Sequence, residues 1–164
     1  MAGAAMADAA GGVPSPQSDA DELEERPADS RRGARQTALQ ALYWAASTDD
    51  DPRAVVEHLG QRCGHSAPVR AFARALVEAV TENRERLDAL IAASGTSWSL
   101  QRMAKVDLLV LRLALAEIIS MPAVPVRVSI DEAVELAKLY GTSESYAFVN
   151  GVLDAIVQHE RLRT

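Results

Sequence analysis

From residue 31 onward the apolar positions recur at helical spacing, and nowhere do they alternate with the two-residue period of a half-buried strand. Ala34, Ala38, Ala41 and Ala45 fall at i, i+4, i+7 and i+11, which predicts a helix over 31–47 with small side chains along one face. Such a strip lets a second helix approach closely. Arg32, Gln36, Gln40 and Tyr43 lie roughly opposite, with Arg35 beside them, and give a polar face rich in donors. The run DDDP at 49–52 interrupts the pattern, and a short helix is expected through Leu59, ahead of Gly60 and Gly64. Phe72, Leu76, Val80, Leu87 and Ile91 predict a third helix over about 68–93, stopped by Gly95.

The segment from Leu100 to Ser120 is apolar nearly all round, which marks the buried centre of a domain. Ser99 is its expected N-cap, with Trp98 packing on Met103. Asp107, Arg112 and Glu117 interrupt its most apolar stretch, so it does not read as a membrane span. Lys105 and Arg112, seven apart, share a face and suggest a contact surface. Pro122 and Pro125 enforce an extended link, after which SIDE at 129–132 has the form of a capping box. Ile130, Val134 and Ala137 supply a buried stripe up to Tyr140, and Gly141 suits the left-handed position that closes a helix. Thr142 or Ser143 is the expected cap of a last helix that buries Val149, Val152, Leu153 and Ile156. Gly151 in its interior costs roughly 1 kcal/mol relative to Ala, with close packing of another helix as the default compensation. The fold class is all-α, with six or seven helices and no internal repeat.

Charge changes this picture. The 164 residues carry a formal net charge of -6, which by itself disfavours nucleic acid as a partner. Residues 1–30 hold seven acids against Arg26 alone, the whole of that excess, while the remaining 134 residues carry 16 charges of each sign. The first 30 are rich in Ala, Gly, Pro and Ser, with Val13 and Leu23 as their only branched aliphatics, and are read as a disordered acidic tail. The folded domain is then 31–164, and it opens on Arg31, Arg32 and Arg35 with no acid before Asp49. The total conceals a local basic turn; a tail that competes with RNA for its arginines and a tail that is a mere solubilising extension both fit this pattern. The lone Cys63 rules out a disulfide framework, and the N-terminus lacks the basic and apolar regions of a secretory signal; both suit the cytoplasm.

The catalytic inventory is thin. His58, His65 and His159 belong to no motif, GQRCG at 60–64 lacks the lysine and spacing of a phosphate loop, and no ligand cluster suggests a metal or cofactor. Asp107, Asp131 and Glu132 read as solvated charges, so an enzyme is not expected. Arg31, Arg32 and Arg35 project from about one turn, and guanidinium forks match phosphate oxygens, while Tyr43 and the glutamines add stacking and hydrogen-bonding groups. The combination suits single-stranded RNA, although the local pattern alone favours an ordinary solvated helix face. Phe148 lies at the edge of the last helix's stripe, which leaves a core ring and a half-exposed ring beside Asn150 both open.

RRGAR at 31–35 followed by ALQALY at 38–43 resembles the opening of the NusB transcription antitermination family. RMAKVD at 102–107 with LRL at 111–113 resembles its middle helix, VPV at 124–126 and IDEAVELAK at 130–138 its next block, and FVNGVLD at 148–154 its last. The four blocks stand in order across about 31–157. The resemblance implies two small packed helical bundles and a non-enzymatic role without cofactors. That role is binding boxA-type ribosomal RNA together with the small-subunit ribosomal protein NusE, within an antitermination complex that helps RNA polymerase read through terminators. Carried over by position, Arg31, Arg32 and Arg35 are the arginine-rich RNA-binding element, and Gln40, Tyr43, Glu144, Phe148 and Asn150 are RNA neighbours. Asp107 falls where the family offers an acid to NusE. Gly33 stands where another basic residue often occurs. A monomer and a homodimer are both compatible with this reading, and no membrane is implied. The alternative is a helical protein–protein interaction module without sequence-specific RNA binding.

Overall fold

In a computed structural model the described residues are 26–95 and 99–162, and among them every regular element is helical. The α-helices are α1 (Arg31–Thr48), α2 (Pro52–Arg62), α3 (Ala67–Glu82), α4 (Arg84–Ala92), α5 (Lys105–Ser120), α6 (Val126–Tyr140) and α7 (Ser145–His159). A short 3-10 turn, Leu100–Arg102, precedes α5. The described residues divide into two compact units, one up to Glu78 and the other from Ala79 onward. The expectation for residues 1–25 and the packing of Trp98 lie outside the described residues. No helix of the described residues is long and apolar enough to cross a membrane.

In the first unit α2 packs against α1. Ala34, Ala38 and Ala41 are fully buried, as are Leu39 and Leu76. Ser30 caps α1 by accepting the Gly33 amide at 3.0 Å, and Asp51 caps α2 through the Arg53 amide at 3.0 Å. The residues before α1 are also held. Pro27 is buried, and the Asp29 carboxylate accepts the amide and hydroxyl of Ser66 at 2.9 and 3.0 Å. This lead-in crosses Gly33 so closely that a Cβ there would overlap the Ala28 carbonyl. A basic side chain has no room at that position in this chain.

In the second unit α6 packs on both α5 and α7, and α4 lies against α5 and α7. Val106 and every residue from Leu109 to Ile118 are buried, in keeping with a central α5. Several element ends differ from expectation. The segment 68–93 is two helices, broken at Asn83, whose side-chain amide donates to the Ala79 carbonyl at 2.8 Å. Ser99 makes no side-chain cap; Met103 and Ala104 are extended, and α5 starts only at Lys105. The SIDE motif is not a capping box, because α6 begins behind Pro125 and Ser129 lies inside it, donating to the buried Glu117 carboxylate at 2.5 Å. Gly141 is extended, at φ -93°, and it is needed because a Cβ would overlap the Ser145 side chain. Neither Thr142 nor Ser143 is the cap residue of α7, which follows Glu144. Gly151 faces open space, so helix packing does not compensate its cost.

Candidate nucleic-acid interface

The basic turn forms as the charge pattern predicts, but its arginines have different surroundings. Arg31 and Arg32 are exposed, whereas Arg35 is only 4 % exposed. The Arg31 and Arg35 guanidinium carbons lie 4.9 and 5.3 Å from the centroid of Phe72 on α3. A cation over an aromatic face is attracted by the ring quadrupole. Phe72 therefore holds the turn, with Arg31 on its solvent side and Arg35 inside. Gln40 is buried at 7 % exposure, and Tyr43 is half-buried further along α1. The polar face predicted opposite the alanines is thus narrow: α1 is closed nearly all round from Gly33 to Leu42, and Gln36 is the half-buried exception.

Behind the turn lies a buried polar contact. His65 Nε2 is 2.8 Å from the Thr37 hydroxyl, and its Nδ1 is 3.9 Å from the Asp29 carboxylate. Burial lowers the His65 pKa, and the Asp29 charge opposes that shift in part. His65 and Asp29 thus join the lead-in, α1 and the α2–α3 loop. No sequence motif marks His65, because its partners lie 28 and 36 residues away in the chain.

The second unit contains an open groove of about 210 Å³. Its walls come from the turn before α5 (Arg102, Met103, Ala104), from Asp107 on α5, and from Thr142, Glu144, Ser145 and Phe148 around the start of α7. Three residues nominated from sequence, Asp107, Glu144 and Phe148, therefore meet in one place. Glu144 is exposed and the Phe148 ring is half-buried, which resolves the choice between core and surface in favour of a lining position. Asp107 Oδ1 is buried without a hydrogen-bond partner. Sequence reasoning misses Arg102 and Thr142; Arg102 sits inside a recognised block, but its spacing carries no signal of a groove. Asn150 is half-buried on α7 and is not among the lining residues.

Arg112 departs from expectation. It does not form an exposed face with Lys105, because its Nε and Nη2 donate to the two Asp88 carboxylate oxygens at 2.7 and 3.0 Å. The pair ties α5 to α4, and the Arg112 side chain is only 11 % exposed. Among the described residues no group of three or more His, Cys, Asp or Glu is arranged to hold a metal ion.

The chain is 47 % identical over 121 residues to the transcription antitermination protein NusB of Syntrophotalea carbinolica, covering 73 % of this chain and 76 % of that one. It is 42 % identical over 126 residues to the protein of the same name from Trichlorobacter lovleyi, covering 77 % and 89 %. T. maritima NusB superposes with a TM-score of 0.74 at 36 % identity, covering 79 % of this chain and 91 % of that one. A chain from a complex of antitermination factors NusB and NusE with double-stranded RNA superposes at 0.72 and 28 % identity, covering 79 % and 96 %. The NusB family model matches residues 32–158, a span that begins in the basic turn and ends in α7. With fold, ordered sequence blocks and relatives in agreement, this chain belongs to the NusB family.

Proposed function

We propose that this protein is an RNA-binding transcription antitermination factor. It captures boxA-type ribosomal RNA leader sequence together with ribosomal protein NusE and promotes read-through by RNA polymerase. The observation that carries the reading is the meeting of Asp107, Glu144 and Phe148 in one groove, although the chain separates the first from the others by some 40 residues. Arg31 and Arg32 bind phosphates from the exposed start of α1, and Arg35 works through Phe72 to hold that turn. Phe148 and Asn150 lie along the RNA, with Tyr43 at the far end of α1. The acid that the family offers to NusE lines the same groove, so RNA and partner converge there. The structure related to this chain that contains both NusE and RNA supports a joint assembly. A role on nascent transcripts places the protein in the cytoplasm.

The test is a gel-shift titration of boxA RNA against a scrambled RNA, with and without NusE, at several salt concentrations. A few phosphate contacts give weak binding that falls steeply with salt, and NusE should tighten it with preference for boxA. Alanine at both Arg31 and Arg32 should weaken binding to either RNA and flatten the salt slope by roughly one for each phosphate that no longer meets a guanidinium. No boxA preference with NusE present refutes the proposal and leaves a protein-interaction module.

A further inference from the structure

The residues ahead of α1 fix the point from which the acidic N-terminal segment starts. Pro27 is buried, and the Asp29 carboxylate is taken by the Ser66 amide and hydroxyl. Ala28 lies so close to Gly33 that a Cβ there would overlap its carbonyl. At about 100° per residue, Arg31 and Arg35 share the side of α1 that faces Phe72, and Gly33 lies on the side that the lead-in crosses. Arg32 stands between the two. The lead-in therefore brings the preceding chain to the first turn of α1, where Arg31 and Arg32 are exposed and no acid is present. Five of the seven residues 19–25 are acids: Asp19, Asp21, Glu22, Glu24 and Glu25. A chain advances at most about 3.6 Å per residue, so Glu24 and Glu25 are within about 11 Å of Pro27. That is comparable to the Debye length of about 8–10 Å in ordinary salt, so their charge is felt at the turn.

Resting on the RNA-binding reading, we infer that residues 19–25 dock on the exposed Arg31–Arg32 turn in the RNA-free chain, and that RNA phosphates displace them. Carboxylates and phosphates compete for the same guanidinium N–H groups. Arg35, buried behind Phe72, takes no part. Exposed ion pairs are individually weak, so the contact opens readily. Tethering supplies its strength, because a short connection holds the segment at an effective concentration in the millimolar range. Charge alone left a competing tail and a solubilising extension equally open. A solubilising extension needs no fixed exit point, whereas this chain fixes one beside the arginines with a buried proline and two hydrogen bonds. The segment thus sets a threshold that RNA must exceed.

The experiment compares the full chain with two variants. One carries Asp19→Asn, Asp21→Asn, Glu22→Gln, Glu24→Gln and Glu25→Gln; in the other, residues 19–25 are moved to follow Met1 directly. The second keeps composition and net charge but lengthens the connection to the lead-in about fivefold, which lowers the effective concentration about tenfold. In anisotropy titrations of boxA RNA at low salt, alone and with NusE, the amide variant should bind about tenfold tighter than the full chain. The rearranged variant should recover most of that gain. The amide variant should also show the steeper salt dependence, because in the full chain added salt loosens the docked segment as well as the RNA. Without RNA, the Nε–Hε NMR signals of Arg31 and Arg32 should differ between full chain and amide variant at low salt and coincide at high salt. Signals that coincide at low salt overturn the inference. So does a rearranged variant that binds like the full chain, which reduces the effect to overall charge; in both cases the RNA-binding reading stands. Distinct signals with no binding of boxA RNA by any variant in either arm overturn the RNA-binding reading and the competition with it.

Discussion

The Arg112–Asp88 pair offers a sharp test of how charges are used in the second unit. Asp88→Asn keeps the side-chain size but replaces one acceptor oxygen with an amino donor facing the guanidinium. In the native chain both carboxylate oxygens are engaged, at 2.7 and 3.0 Å, and the two side chains are 11 % and 25 % exposed. Breaking one partner of a fully buried pair costs about 3–5 kcal/mol, because the other charge stays desolvated. The residual exposure of Asp88 admits water to its side of the pair, so about 2–3 kcal/mol is expected. Against a total of about 5–15 kcal/mol for a domain, that is a large fraction.

Urea denaturation followed by helical circular dichroism should show the midpoint falling by roughly 1 M at a slope of about 2–3 kcal/mol/M, with the slope itself unchanged. Asp88→Leu combined with Arg112→Met should recover much of the loss, because it leaves no unpaired charge. A loss below about 0.5 kcal/mol for Asp88→Asn would match an ordinary exposed ion pair and refute the reasoning. So would a double variant no more stable than the single one. The double variant also separates structure from recognition: it should bind RNA with the native salt slope, since Arg112 is committed to Asp88.

Three further outcomes are expected. Because burial holds the His65 pKa below its ordinary value of about 6.5, the unfolded chain takes up a proton that the native chain resists. Stability should therefore decline as pH falls below about 6.5, until the native pKa is passed; His65→Asn should remove that component of the pH dependence in calorimetry. Gly33→Ala should destabilise the chain by about 1–3 kcal/mol, because the new Cβ overlaps the Ala28 carbonyl; faster hydrogen exchange at the Ser30 and Ser66 amides would locate the damage. Gly151→Ala, placed in a helix with open space around its Cβ, should raise stability by about 0.5–1 kcal/mol, read as a higher melting temperature.

The helices are legible in the sequence because apolar burial leaves a local signature. Val149, Val152, Leu153 and Ile156 announce a stripe whatever they pack against, and all four are buried. Helix ends are less legible, because a cap competes with tertiary partners. Ser129 has the right spacing to Glu132 for a capping box, yet Glu117, twelve residues away and buried, takes its hydroxyl. Polar side chains are the least legible of all. Arg35 and Arg112 look like surface residues from sequence, and both are turned inward by partners that lie 37 and 24 residues away in the chain, Phe72 and Asp88. The groove depends on the same kind of distant pairing: the family blocks nominate Asp107, Glu144 and Phe148 separately, and only the fold shows that they share a wall with Arg102. Gly151 runs the other way. Its sequence cost is real, but no neighbour within 4 Å of the Cβ position explains it. The open backbone lies next to Asn150 in the FVNGVLD block, where an approaching RNA or partner would meet no side chain. A Gly151→Ala variant that gains stability yet binds boxA RNA and NusE less tightly would assign the glycine to recognition; unchanged binding would leave it a stability defect.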